Sequence, residues 1–383
     1  MSLLRRLLRA DVVVLAVLLI YPFLPFLDLA VDAATGKPLQ LDRKLVSIFI
    51  FAILALALNL QVGYAGLLQL GIAAFFAIGA YSTGVLSVQK YPFQIGFVGT
   101  LVAAPVVAGL AGLALGAPTI RLRGDYLAIV TLGFGEVVRV TILNLEGITD
   151  GPRGLNPIPP PDLPAGLAHA LGADADPGRA SFLALYYASL VLLALLVVGF
   201  RALERSRLGR AFAALREDEL ACACTGVSPA RTKLAAFAAG GALAGLAGAL
   251  YATNLTTTAE PNTYDFAISV IVLCYVILGG LGSVPGAILG TFVLYTFDSV
   301  VAPRLTEALQ GAQGTGTNVL LTFTNWRLLI FGVVLVLVMR FRPEGLLPSA
   351  RLRAELHHED AEASGAPAAP SPAAPRKGPD APP

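Results

Sequence analysis

The chain has 383 residues, 56% hydrophobic and only 14% charged, with a mean hydropathy of +0.73. Soluble domains carry roughly 25% charged residues, so this composition excludes a globular surface and predicts an all-α, polytopic membrane protein. The net charge of +2 is too small to argue for nucleic acid, and three cysteines (Cys222, Cys224, Cys274) with three scattered histidines argue against a disulfide framework or a metal site.

In chain order, Arg5, Arg6 and Arg9 precede an apolar run with no clean cleavage site, which reads as a first transmembrane helix with a cytoplasmic start rather than a signal peptide. Runs near the ~20 residues that a bilayer core requires fall at 11–30, 45–63, 65–88, 95–117, 126–145, 182–200, 232–253, 265–282, 284–303 and 325–341. They predict about ten transmembrane helices, both termini cytoplasmic, in a membrane domain covering 1–348. The glycine-rich runs 65–88 and 126–145 are candidates for broken or re-entrant segments. Residues 28–44 form a polar, acidic outer loop. Residues 146–181, rich in Pro, Gly and Asp, form an outer loop too Pro-rich for a regular helix. The Ala-Pro-rich tail 349–383 reads as disordered and cytoplasmic. With this topology 18 of the 27 Lys and Arg fall on cytoplasmic segments, as the positive-inside rule requires.

Residues 203–228 form a charged insert between apolar runs, so they lie in water on one face of the membrane. Ser206 is placed to cap a helix. Leu208, Phe212 and Leu215 define one apolar face, with Arg207, Arg210 and Glu217 opposite. Gly226 suits a left-handed C-terminal stop, and Ser228-Pro229 starts the next helix. The acidic run Glu217, Asp218, Glu219 after Arg216 matches an anionic leaflet poorly and suits a protein partner; the other reading is an interfacial helix on the headgroups.

Small-residue spacings Gly241-xxx-Gly245 and Gly282-xxx-Gly286-xxx-Gly290 predict close helix packing, or a sliding or oligomer interface. Pro285 and its flanking glycines point to two helices rather than one long span. Glu136 and Arg139 stand near the middle of the run 126–145, on one helix face. A charge at mid-bilayer costs several kcal/mol, about 2.5–3.5 on insertion scales, so the two form either a structural ion pair or part of a path or gate. Gly133 and Gly135 are placed to bend or break that helix. Gln69 and Asn59 are the other polar residues at depth, read first as helix–helix hydrogen bonds. Asp265 is placed to cap its helix.

Four collinear blocks carry a family resemblance: GYAGLLQLGIAAFFAIGAY (Gly63–Tyr81); RLRGDYLAIVTLGFGEVVR (Arg121–Arg139) with TDGPRG (Thr149–Gly154); GRAFAALREDELACACTGVSPARTKLAAFAAGGALAGLAGALYA from Gly209; and VILGGLGSVPGAILG (Val276–Gly290) with FRPEGLLP (Phe341–Pro348). From about residue 45 to 348 the chain resembles the LivM-like permeases of branched-chain amino-acid ABC transporters. The resemblance implies a translocation path shared with a second, LivH-like permease. It also implies two P-loop ATPase subunits that use ATP and Mg, a periplasmic substrate-binding protein, and residence in the bacterial inner membrane. It places ATPase coupling at Arg210, Arg216, Glu217, Asp218, Glu219 and Gly226. The path or gate is expected at Gln69, Ile72, Gly133, Gly135, Glu136 and Arg139. No catalytic residue and no bound cofactor are expected, because the one Gly-Lys pair, Gly36-Lys37, precedes Pro38 and makes no P-loop. The chain departs from the family at Ile72 (usually Tyr or His), Cys222 (Ala), Asp150 (Gly) and Arg153 (a smaller or amide residue). A urea or short-chain amide importer permease stays open as an alternative, and a secondary transporter as one of another class.

Overall fold

The computed structural model describes residues 41–122, 124–161, 177–303, 306, 326–342 and 345–347. The first predicted span, the loop ahead of residue 41, part of the outer loop, and the tail 349–383 lie outside the described residues. Those described form helices, turns and irregular segments, with no strand among them.

The helices are α1 (Leu41–Asn59), α2 (Ile72–Ser87), α3 (Phe97–Thr119), α4 (Asp125–Asn144), α5 (Glu146–Thr149), α6 (Pro177–Arg205), α7 (Arg207–Glu217), α8 (Glu219–Cys224), α9 (Pro229–Leu255), α10 (Phe266–Gly279), α11 (Val284–Thr296) and α12 (Arg327–Phe341). A π-helical turn, Leu60–Tyr64, extends α1, and another, Phe297–Val301, extends α11. A helix that is apolar all round belongs in the interior. Accordingly α1 is the central element, with Ile50, Ile53, Leu54, Leu56 and Leu58 all at 0% exposure. The glycine- and alanine-rich α9 lies beside it against α2 and α3, while α10 and α11 pair with each other and with α1. By contrast α4 is peripheral, burying only Leu127, Ala128, Thr131 and Ile142.

Six of these helices (α3, α4, α6 and α9, with α1 and α11 counted together with their π-helical turns) are long and apolar enough to cross a membrane. That is fewer than the ten runs counted in the sequence. The apolar runs 65–88 and 265–282 each lose residues to an irregular connector, Ala65–Gly71 and Gly280–Ser283. This leaves α2 and α10 at 16 and 14 residues. At ~1.5 Å per residue these fall short of the ~30 Å hydrocarbon core. The run 65–88 is therefore broken as expected. The run 126–145 is not: α4 continues through Gly133 and Gly135 without interruption. The Pro285 region does separate two helices.

The bundle has two ends. At one, Lys90 of the α2–α3 turn pairs with Asp150 at 2.5 Å, and the Tyr91 hydroxyl donates to the Ile148 carbonyl. There the Pro-rich segment to residue 161 bonds the α9–α10 connector, Ile158 N to Thr256 O at 2.8 Å and Thr258 N to Leu155 O at 3.0 Å. The loop predicted over 146–181 is shorter than expected, because α5 opens it and α6 already starts at Pro177. The opposite end carries α7 and α8, together with the C-terminal ends of α1, α3, α6 and α10.

The glycine spacings resolve into tight crossings. A Cβ on Gly241 would come within 2.8 Å of Ala108 O, and one on Gly245 within 2.9 Å of Ala104 O, both on α3. On α11, a Cβ at Gly286 would lie 2.5 Å from Gly279 O, and one at Gly290 2.8 Å from Gly279 N. Gly282 does not continue that stripe. It sits in the connector before α11 with φ +72, a backbone conformation that glycine adopts without steric cost.

Candidate functional site

The charged insert folds as two short helices. Ser206 Oγ accepts from Gly209 N at 3.1 Å, capping α7 as predicted. Asp218 separates the two helices and caps α8, accepting from Leu220 N and Ala221 N at 2.6 and 2.9 Å. Gly226 has φ +83 and ends the element. Pro229 opens α9 in its first turn, although the Ser228 side chain makes no capping bond. Phe212 and Leu215 are buried on the bundle side. Leu208, placed with them by its spacing, is instead 53% exposed, and Leu220 on α8 is exposed as well. Arg210 and Glu217 are exposed, Arg210 bonding the Arg205 carbonyl. The outer surface of α7–α8 thus presents two leucines flanked by charges of both signs.

Other charges of the insert turn inward. Glu219 pairs with Lys233 at 2.9 Å. Lys233 is 2% exposed and also donates to the Ile120 and Leu122 carbonyls at the end of α3, each at 3.1 Å. One ammonium therefore joins α8, α9 and the α3 terminus. Sequence reasoning missed this residue, since a lysine at a helix start reads as solvated. Arg216 donates from Nη1 to the Gly63 carbonyl at 2.7 Å. Asn59 bonds the α10–α11 connector, accepting from Gly282 N at 2.8 Å and donating to Ser283 O at 3.3 Å. The α1–α2 connector packs on α4, where Leu70 N donates to Thr131 Oγ1. Within it Gln69 is 1% exposed, and neither of its amide atoms has a hydrogen-bond partner among the described residues. Ile72 opens α2 and is fully buried, facing packed side chains rather than open space.

Glu136 and Arg139 do form a bidentate pair, at 2.5 and 3.0 Å, just past the middle of α4. Arg139 Nη1 also donates to Asn262 Oδ1, on the turn between α9 and α10, so the pair sits toward the end of the bundle opposite α7–α8. Glu136 is half-exposed. With Asn262, Asp265, Phe266, Val270 and Leu328 the pair lines an open cleft of about 620 Å³. Asp265 caps α10 as expected, accepting from Ile268 N. Gly133 has open space around it, and a Cβ on Gly135 would approach Gly71 Cα at 3.6 Å. Gln69, Ile72 and the Glu136–Arg139 pair are thus not gathered into one pocket.

A sequence profile described as "Branched-chain amino acid transport system / permease component" matches residues 40–339. The chain belongs to this family. It is 40% identical over 350 residues to the high-affinity branched-chain amino acid transport system permease protein LivM of Escherichia coli, covering 86% of this chain and 76% of that protein. It is 26% identical to a probable branched-chain amino acid transport permease protein LivM of Methanocaldococcus jannaschii, over 78% of this chain and 90% of that one. A xylose transport system permease protein of Escherichia coli, XylH, is 27% identical over 39% of the chain. No solved structure matches.

The family departures have structural settings. Asp150 has φ +57, the left-handed region where the glycine that the resemblance implied would be unstrained. Its carboxylate binds Lys90, and that hydrogen bond holds the ammonium pKa above its ordinary value. Cys222 is buried where α8 meets the bundle, and burial, then the nearby Glu219, push its thiol pKa up.

Proposed function

We propose that this chain is a permease subunit of an ATP-driven importer, lining the route for branched-chain or related hydrophobic amino acids handed over by a periplasmic binding protein. The observation that carries the reading is the match over residues 40–339 to the permease component of that transport system. In this reading the fold completes about ten spans in the bacterial inner membrane, both termini cytoplasmic, with α7–α8 on the cytoplasmic side. The cleft at Glu136, Arg139 and Asn262 is then the outer mouth of the route. Its paired charges match an amino acid's zwitterion without holding it tightly, as a conduit requires. Gln69, in the α1–α2 connector, and Ile72, just after it, lie deeper. A second related permease supplies the other wall.

The exposed part of α7–α8 (Leu208, Arg210, Glu217 and Leu220) docks in a cleft of a P-loop ATPase subunit, one of two, which binds ATP and Mg. This chain supplies apolar anchors and mixed charges there, a combination suited to a protein groove. The test is uptake by proteoliposomes carrying the complex purified through this chain. ATP-dependent uptake of leucine, isoleucine or valine with the cognate binding protein is expected. Uptake of urea or short amides alone would move the substrate to that class of importer, and uptake without ATP would refute the reading in favour of a secondary transporter.

A further inference from the structure

Arg216 lies on the element read above as the ATPase-facing surface, yet its side chain crosses to the opposite side of α7. Its backbone packs directly over Gly66: a Cβ on Gly66 would lie 2.9 Å from Arg216 Cγ and 3.1 Å from its Cα. Past Gly66, the guanidinium donates to the Gly63 carbonyl, and a Cβ on Gly282 would lie 3.3 Å from the same Nη1. Asn59 ties Gly282 and Ser283 to the end of α1. The segment after α12 rides on the same place, with Leu346 N and Leu347 N bonded to the carbonyls of Leu278 and Gly279. A single cation of α7 therefore meets the π-helical end of α1, the α1–α2 connector and the α10–α11 connector.

We propose that Arg216 is a positioning residue that transmits displacement of α7 to these two connectors, which together close the inner end of the route; the proposal rests on the importer reading above. Three physical features support it. The Arg216 Cα and Cγ lie against Gly66 with no room for a Cβ between them, so a shift of α7 bears directly on the α1–α2 connector, and the planar guanidinium, with its donors in a fixed fork, holds the Gly63 carbonyl in the same contact. The carbonyl belongs to a π-helical turn, a rare geometry that occurs mostly as single turns and is frequent at functional sites. The α1–α2 connector also has a reason to adopt a second arrangement. It buries the Gln69 amide with no partner among the described residues, and such a group costs about 1–3 kcal/mol. A connector displaced toward water or cargo would satisfy that amide, so pulling on Gly63 and Gly66 through Arg216 has a lower-energy destination for Gln69.

The test uses the whole complex with its binding protein in proteoliposomes, comparing wild type, Arg216→Gln and Arg216→Lys. Arg216→Gln is expected to keep the ATPase subunits bound and hydrolysing ATP, while uptake falls at least tenfold and liganded binding protein no longer stimulates hydrolysis. Arg216→Lys, which retains one donor, is expected to restore uptake partway with the same ATPase occupancy. Uptake within twofold of wild type in Arg216→Gln overturns the proposal. So does loss of the ATPase subunits in step with uptake, which would make Arg216 a docking contact. If Arg216→Gln does not assemble, Arg216→Lys decides alone: unchanged uptake overturns the proposal, and at least a threefold loss with ATPase retained supports it. A wild-type complex lacking ATP-driven uptake refutes the importer reading itself, an outcome distinct from a defect confined to the variants.

Discussion

Lys233→Met is the most informative single change, because it removes one charge from a three-way junction while keeping an unbranched apolar stem. Lys233 is 2% exposed and holds Ile120 O, Leu122 O and Glu219 Oε1. Each charge-assisted bond to a carbonyl contributes about 1.5–3 kcal/mol. The ion pair adds about 1 kcal/mol, discounted because the Glu219 side chain keeps 21% of its exposure. Against these stands the desolvation of the ammonium, several kcal/mol. The net loss expected for Lys233→Met is therefore about 2–3 kcal/mol. Equilibrium unfolding in mixed detergent micelles measures it. A double-mutant cycle with Glu219→Gln should return a coupling of about 1 kcal/mol, since the two residues share one bond and the carbonyl bonds are unaffected by the glutamate. A loss below about 0.5 kcal/mol would refute the reasoning, by showing that the junction is no more than a screened surface contact.

Three further outcomes are expected. Gly248→Leu should destabilise the bundle by about 1–3 kcal/mol or prevent its assembly, since a Cβ there meets the Phe76 carbonyl and lies 2.8 Å from Ala80 N; a melting curve like the parent's would show that α9 and α2 do not cross this closely. Asp218→Ala should cost about 1 kcal/mol through the lost cap of α8, whereas the exposed Glu217→Lys should leave unfolding unchanged and cut ATP-driven uptake at least tenfold; normal uptake in Glu217→Lys removes that residue from the docking surface. At neutral pH a membrane-impermeant maleimide should label Cys224 alone, because Cys224 is exposed while Cys222 and Cys274 are buried. Labelling should occur in inverted but not right-side-out vesicles, and the reverse pattern would turn the whole topology over.

The sequence by itself determined the class of the protein, the apolar runs, and the local punctuation of the chain. Ser206 caps α7, Gly226 ends α8, Pro229 starts α9, and Gly280–Ser283 separates α10 from α11, as their neighbours in the chain dictate. These are short-range effects: a hydroxyl, a ring or a missing Cβ acts within a few residues of itself. Family membership was equally legible, because collinear blocks survive without any knowledge of contacts. Only the tertiary structure decided which way the charges of the insert point. Arg216 finds its carbonyl 153 positions away in the chain, and Asn59 bonds a connector 223 positions on. It also set Asn262 beside the Glu136–Arg139 pair, and it exposed Leu208 despite its apolar spacing. Periodicity can assign a residue to a helix face, but what covers that face is chosen by elements far off in sequence. In a membrane bundle, where greasy surface is tolerated on both the inside and the outside, hydropathy alone does not distinguish the two.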